Sequence, residues 1–236
     1  MSLAKTFIGY VDSGGGGSTA CVLSAYNQPA GELIVVFSGV YKYGGGTDSA
    51  PTDTALNTYL PMLAGSGYGP SSVWYNVWYC ANCNGSVANV ILQQPQYPAY
   101  NNYASFAAWH VSGADVSSPA DASATSNVHP TGGVATSAAF TTTFADEVLF
   151  CICGTGGAGS DTRTAPAGWT DDTSGLSVAM SCASEIVSAI QTNATAAWGV
   201  NVSNNNPIVV ATFKALGSSP PVPSNALASI QSFWMG

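Results

Sequence analysis

Short apolar or alternating stretches recur along the whole chain between glycine, proline and asparagine punctuation, which is the signature of an all-β sandwich. Strands are expected near residues 5–11, 18–26, 32–39, 72–81, 86–93, 103–112, 135–143, 147–153, 175–184, 196–202 and 207–215. In the fourth of these, Val73, Tyr75, Val77 and Tyr79 alternate with Trp74, Asn76, Trp78 and Cys80. Successive side chains of a strand point to opposite faces, and both sets here carry apolar area, so both faces of that strand are expected to be covered.

The order of the segments repeats. Gly31-Glu32-Leu33-Ile34-Val35-Val36-Phe37-Ser38-Gly39 is echoed by Asp146-Glu147-Val148-Leu149-Phe150-Cys151-Ile152-Cys153-Gly154, each an acidic residue launching an apolar run that ends at glycine. Val73 to Cys80 followed by Ser86 to Leu92 is echoed by Leu176 to Cys182 followed by Ala196 to Val202, and Tyr103 to Trp109 by Ile208 to Lys214. Internal similarity in one order implies a duplicated unit, with copies at about 5–113 and 134–216 that interleave or pack face to face. The expected fold is therefore an antiparallel, jelly-roll-like β-sandwich over 1–216. A linker from Ser112 to Gly133 is expected to cross from one sheet to the other.

Residues 217–236 form a tail. Gly217-Ser218-Ser219-Pro220-Pro221-Val222-Pro223 reads as a stiff spacer. Beyond it Asn225 can cap a short helix that places Leu227, Ile230 and Trp234 on one face, with Phe233 beside them. Leu227, Ile230, Phe233 and Trp234 are the candidate partner-binding residues, the alternative being that they dock on their own domain.

Composition narrows the function classes. Only 7% of residues are charged, against 46% hydrophobic, and the net charge is −8. Soluble domains usually carry about 25% charged residues, so the exterior must be rich in hydroxyls and amides, and long helices with Glu/Lys faces are not available. Lys5, Lys42, Arg163 and Lys214 are the only strong cations. They cannot neutralise several phosphates, which excludes nucleic acid as a partner. No stretch approaches the roughly 18–20 apolar residues of a membrane span, and Met1–Val11 lacks the apolar core of a signal peptide.

Gly31 to Val36, Ala99-Tyr100 to Trp109, Val111-Ser112-Gly113-Ala114-Asp115 with Ser118-Pro119-Ala120-Asp121, and Trp198 with Val210 to Ala215 together resemble a β-sandwich module of unassigned role. Such modules recur in bacterial surface proteins and in phage virion or tail-fibre proteins. The resemblance covers roughly residues 5–216 and rests on strand starts and the crossover, so it speaks to fold rather than chemistry.

The chemistry-bearing residues are few. Cys80 and Cys83 form a CxxC, but Cys151 and Cys153 form a CxC inside an apolar strand, where both point to one face. That spacing departs from the usual zinc arms, and buried thiols are expected for these four, Cys21 and Cys182. A Cys80–Cys83 bridge is the alternative in an oxidising compartment. Gly154 to Gly159 matches GxGxxG, yet Ser160 to Pro166 cannot open the helix a dinucleotide site requires. His110 and His129 are the only neutral-pH bases, the first expected in a satisfied interior or interface position and the second solvated. Asp48/Asp53, Asp115/Asp121 and Asp171/Asp172 are loop acids that a glycoside hydrolase could use, or that could bind calcium, although none shows the spacing of a calcium loop. No catalytic, cofactor or metal residue is assigned.

Among the aromatics, those in strands are expected in the core. Tyr41, Tyr43 and Tyr100, with Tyr68 and Tyr97, fall in loops and can stack on sugars or fill an interface. Two functions follow as expectations. The first is a non-enzymatic structural protein on a phage exterior, as capsid decoration, head fibre or tail-fibre component, assembled in the host cytoplasm as a homo-oligomer with other virion proteins. The second is a carbohydrate-binding or adhesive sandwich of a bacterial surface, with Tyr41, Tyr43 and Tyr100 as glycan contacts.

Overall fold

The apolar runs become strands buried on both faces. In β4 (Leu33–Tyr43) Leu33, Val35 and Phe37 enter one hydrophobic layer and Ile34 and Val36 another; in β13 (Asp146–Gly154) Val148, Phe150 and Ile152 divide likewise from Leu149, Cys151 and Cys153. A run without polar alternation is stable as a strand only when something covers each side, and here four stacked layers do so.

The computed structural model describes residues 2–12, 20–43, 49–67, 71–93, 104–128, 133–154, 162–174, 180–201 and 206–220, with backbone alone at 40–43, 64–67, 71–74, 93 and 127–128. All regular elements among them are strands. One large sheet is built from β1 (Ala4–Asp12), β10 (Ala104–Ser112), β4, β7 (Ser71–Cys80) and β6 (Leu60–Gly67), in that order. The other is built from β11 (Ala120–Val128), β18 (Asn206–Lys214), β13, β16 (Met180–Ser188) and β15 (Thr170–Asp171). Two smaller sheets cover their outer faces: β2 (Cys21–Val22), β9 (Ile91–Gln93) and β5 (Thr52–Asp53) on the first, β12 (Gly133–Thr136), β17 (Ala197–Val200) and β14 (Arg163–Thr164) on the second. A two-stranded ribbon, β3 (Tyr26–Gln28) with β8 (Ser86–Asn89), belongs to the first half alone. Every strand pairing is antiparallel.

The large sheets meet face to face. Between them lie Leu33, Phe37, Val77, Trp109, Phe150, Ile152, Ala211 and Phe213, all fully buried. The Trp109 and Phe150 rings stand 4.9 Å apart, and Phe37 and Phe150 6.4 Å apart. A second layer, with Ile34, Val36 and Phe106, lies under the β2-β9-β5 sheet, and a third, with Leu149, Cys151 and Trp198, under β12-β17-β14. Burying such side chains contributes roughly 1.5–3 kcal/mol each.

Matched in chain order, the two sets of sheets have one strand order, the β3/β8 ribbon aside. The registers refine the sequence echo. Val111 lies opposite Leu33 as Phe213 lies opposite Val148, so the final strand corresponds three residues away from the match of Trp109 with Lys214. An odd shift exchanges the faces of a strand, and Trp109 points into the inter-sheet layer as Phe213 does. Cys80 opposite Ile34 likewise corresponds to Glu185 opposite Leu149 rather than to Cys182.

The expected linker 112–133 is partly a strand. Ser112 to Pro119 makes the crossing, but Ala120–Val128 is β11, whose small polar sequence hides an edge strand. The expected strand at 135–143 stops at Thr136, and 18–26 is broken into β2 and β3. β6 was not foreseen because Pro61 and two register shifts interrupt it, as an edge position allows.

Two motifs acquire physical reasons. In the crossover Gly113 takes φ +74°, and a Cβ there would sit 2.5 Å from the Ser2 carbonyl. Asp115 follows; its Oδ1 accepts from the Ser117 N–H at 2.9 Å and its Oδ2 lies 3.2 Å from Lys214 Nζ. The glycines that end the two echoed runs, Gly39 and Gly154, flank the ring of Tyr75, where a Cβ would come within 2.4 and 1.6 Å of it respectively.

Candidate functional site

Several clusters of polar side chains were candidates for chemistry, and one joins the two halves. Lys5 lies on β1 at the edge of the first large sheet; Ser184 lies on β16, and Asp172 just after β15, at the edge of the second. The Asp172 N–H donates to the Cys182 carbonyl at 2.9 Å, which holds its side chain against the seam. There Asp172 Oδ2 accepts from Trp109 Nε1 at 3.0 Å and from the Ser184 hydroxyl. Lys5 Nζ donates to the Ser184 carbonyl at 3.0 Å and to its Oγ, and lies 4.0 Å from Asp172 Oδ1. Burial lowers the Lys5 pKa against the pull of Asp172, and burial raises that of Asp172.

Serine, lysine and carboxylate are the ingredients of an activated nucleophile. Ser184 is fully buried, however, and its hydroxyl proton is committed to Asp172. The cluster therefore acts as a clamp between sheets. Lys5 and Ser184 were not singled out from the sequence, since 179 residues separate them and neither sits in a motif.

The other acids are also absorbed locally. Asp53 Oδ1 and Oδ2 accept from the Asn57 N–H at 2.9 Å, Asn57 Nδ2 at 2.7 Å, the Tyr59 hydroxyl at 2.9 Å and Asn89 Nδ2 at 3.1 Å. Burial alone would raise its pKa, but the bonds from Asn57, Asn89 and Tyr59 bring it below the usual value. Asp115 is held down to about 2, chiefly by the Ser117 hydroxyl. Asp171 accepts from Thr173 in a turn. Asp121 accepts from the Thr143 N–H at 2.6 Å and borders Glu147, whose side chain is fully buried with Oε2 lacking a donor. Burial, then Asp121, pushes Glu147 up to about 8. His110 Nδ1 meets Glu32 Oε2 at 2.7 Å, a satisfied half-buried pair. His129 and Asp48 lie outside the described residues.

The six cysteines are buried and free. Cys80 and Cys83 belong to the outer layer of the first half and Cys151 and Cys153 to that of the second, so the CxxC and the CxC cannot share a metal. Among the described residues no three of His, Cys, Asp or Glu converge on a metal position. Of the GxGxxG only Gly154 is described, at the end of β13. Tyr41 and Tyr43 prove to lie in β4 rather than in a loop, with backbone alone described. Tyr68, Tyr97, Tyr100 and the segment carrying Leu227, Ile230, Phe233 and Trp234 lie outside the described residues. No helix among the described residues is long and apolar enough to cross a membrane.

No family model matches this chain, and no curated protein matches it.

Proposed function

We propose that this chain is a non-enzymatic, contact-making protein of a phage exterior, a capsid decoration, head fibre or tail-fibre component, and that it associates with itself and with other virion proteins. The supporting observation is the strand order shared by the halves. Numbering β1, β2, β4, β5, β6, β7, β9 and β10 as one to eight, the large sheet runs 1-8-3-6-5 and the small one 2-7-4; β11 to β18 give the same two orders. That arrangement of eight strands is read here as a jelly roll in each half, a module used by viral capsid and lectin domains. Two such units fused through their large sheets leave only outer surfaces and loops for contact. The scarcity of charge on those surfaces favours broad hydrogen-bonded contact over electrostatic steering.

The test is assembly. Light scattering on the purified chain is expected to give a defined oligomer, and co-sedimentation with phage shells lacking the protein is expected to deplete it from solution. A monomer that ignores the shells overturns the proposal.

A carbohydrate-binding role is the second reading, and strand ends favour it. Asp12 is opposite Ser105, Val40 opposite Ala104 and Tyr43 opposite Ser71, so these strands begin or end on one side of the first sheet. Glycan-array signal abolished by Tyr41→Ala, Tyr43→Ala or Tyr100→Ala favours this reading, and a blank array removes it.

A further inference from the structure

The two halves part company where β7 and β16 end. In the second half Glu185 lies opposite Leu149 and Val187 opposite Glu147, an unbroken ladder. In the first half Cys80 lies opposite Ile34, but the chain returns to the ladder only at Cys83, whose N–H donates to the Glu32 carbonyl and whose carbonyl accepts from the Gly31 N–H, both at 2.9 Å. Three steps along one strand thus answer two along the other, and Asn82, at φ +53°, takes up the extra residue. Residues three apart in a regular strand point to opposite faces, and a bulge re-aims the side chain that follows it. Cys80 and Cys83 accordingly enter the same outer layer, with Ile34 and Ile91. The bridge that the CxxC spacing left open acquires a geometry.

The two thiols are in contact. Cys83 Sγ lies 3.1 Å from the Cys80 carbonyl, and its S–H also reaches the Cys80 sulfur. That hydrogen bond favours the Cys80 thiolate, against burial and the nearby Asp53 charge, and keeps the proton on Cys83. The thiolate is the nucleophilic form of cysteine. Both residues are only 2–3% exposed, yet Asn82 and Asn84 beside them stand at the surface and Ala81 is half-buried, so the site suits a reagent of about the size of water. The other cysteines lack such a partner. Cys21 donates to the Ala104 carbonyl at 3.3 Å, Cys151 accepts from Trp198 Nε1 at 3.1 Å, and Cys182 faces the layer between the large sheets while Cys151 and Cys153 face the outer one.

We propose that Cys80 and Cys83 form a peroxide-sensitive dithiol that closes to a disulfide in the folded chain. The inference goes beyond the exterior reading and does not depend on it. The Cys80 thiolate attacks one oxygen of hydrogen peroxide, the O–O bond breaks, and Cys80 becomes a sulfenic acid. The departing hydroxide takes up the proton that Cys80 released. The Cys83 sulfur then attacks the Cys80 sulfur, the S–O bond breaks, and the Cys83 proton leaves with the hydroxyl as water. Two electrons pass from the sulfurs to the peroxide, and both peroxide oxygens end as water. The new bond spans the bulge and staples Asn84, whose N–H donates to Asn57 Oδ1 at 2.7 Å, to the end of β7.

The experiment treats the reduced full-length chain with hydrogen peroxide under native conditions, blocks the remaining thiols with iodoacetamide after unfolding, and maps the cysteines by peptide mass spectrometry. The expected product is about 2 Da lighter before blocking. It joins Cys80 to Cys83, leaves the rest of the six thiols free, and reverts with dithiothreitol. Cys83→Ser, confirmed as folded by circular dichroism, is expected to stop at a Cys80 sulfenic acid that dimedone traps. In Cys80→Ser the remaining Cys83 is expected to react at roughly a tenth of that rate. If Cys80 and Cys83 both stay open to iodoacetamide after the peroxide, the proposal is overturned, and wild-type chain alone decides this. Oxidation that falls first on Cys21, Cys151, Cys153 or Cys182 overturns it too, and equal dimedone labelling of the two variants overturns the assigned roles. A chain that stays monomeric and ignores phage shells leaves each of these outcomes readable.

Discussion

Glu32, just before β4, and Glu147, near the start of β13, hold corresponding places in the two halves, and their surroundings differ. The residue before Val111 is His110 and the residue before Phe213 is Thr212, strands whose registers coincide. His110 therefore meets Glu32 at 2.7 Å, whereas Glu147 finds only the Thr212 hydroxyl and the Phe144 N–H as donors. The irregularity in β11 between Ala120 and Ser123 then places Asp121 against it. A bulge re-aims a side chain, and this one sets two acidic side chains together where the first half has Glu32 against His110. One architecture thus tolerates a Glu–His contact and a buried carboxyl pair at the same point, because the sheets around each are fixed by apolar layers and not by the acids.

If the apolar layers dominate, the largest loss should come from the side chain both halves share. Trp109→Ala empties space beside Phe7, Phe37 and Phe150 and removes the donor to Asp172. The expected cost is about 3–5 kcal/mol, read from the urea midpoint. A loss below about 1 kcal/mol would mean that the halves do not depend on their common layer.

The clamp comes next. Asp172→Ala leaves the Ser184 hydroxyl and Trp109 Nε1 without their acceptor and the part-buried Lys5 without its counter-charge. A buried donor deprived of its partner costs about 1–3 kcal/mol, so a loss of roughly 2–3 kcal/mol is expected, partly recovered by Lys5→Met in the same chain. Additive losses in that double variant would show that the two residues act separately.

Glu147→Gln tests the contrast with Glu32 directly. The folded pKa of about 8 lies above the ordinary 4.5, so the folded state holds a proton that the unfolded state has released between those values. This contribution is fully present below about 4.5 and is lost as pH rises through about 8. The Gln variant should lack that slope and gain stability relative to the wild type as pH rises from about 5 to 9. Parallel pH profiles for the two chains would show that Glu147 carries no extra proton.

The positions that decide these effects are unequally legible in the sequence. The runs at Leu33 and Val148 announced strands covered on both sides, because no polar residue interrupts them, and Cys151 and Cys153 could be placed on one face by spacing alone. The crossover motif was legible as a motif, while its reasons, a positive φ at Gly113 and a turn closed by Asp115, needed coordinates. β11 was invisible because Ala-Asp-Ala-Ser-Ala-Thr-Ser-Asn carries little apolar area at an edge, where one neighbour suffices. Lys5 with Ser184 could not be read from the chain, since only the packing of two sheets brings residues so distant in sequence together. Nor could the different fates of Glu32 and Glu147, which depend on His110 standing where the other half has Thr212 and on a bulge in β11.

Asp115 gives the smallest effect and the opposite sign. Ser117, the N–H of Ser118 and Lys214 hold its carboxyl down to about 2 from the ordinary 3.8. A depressed acid contributes stability above its unfolded pKa and loses it as pH falls through the folded value. Asp115→Asn should therefore change little at or below about pH 2 and cost about 0.5–1 kcal/mol at pH 7, the scale of a partly exposed pair. In Glu147→Gln the difference from wild type grows on the alkaline side; in Asp115→Asn it appears as pH leaves the acid range. Urea midpoints of both variants across pH 2 to 9 would separate the two carboxyls, and a common profile would mean that neither local environment governs its proton.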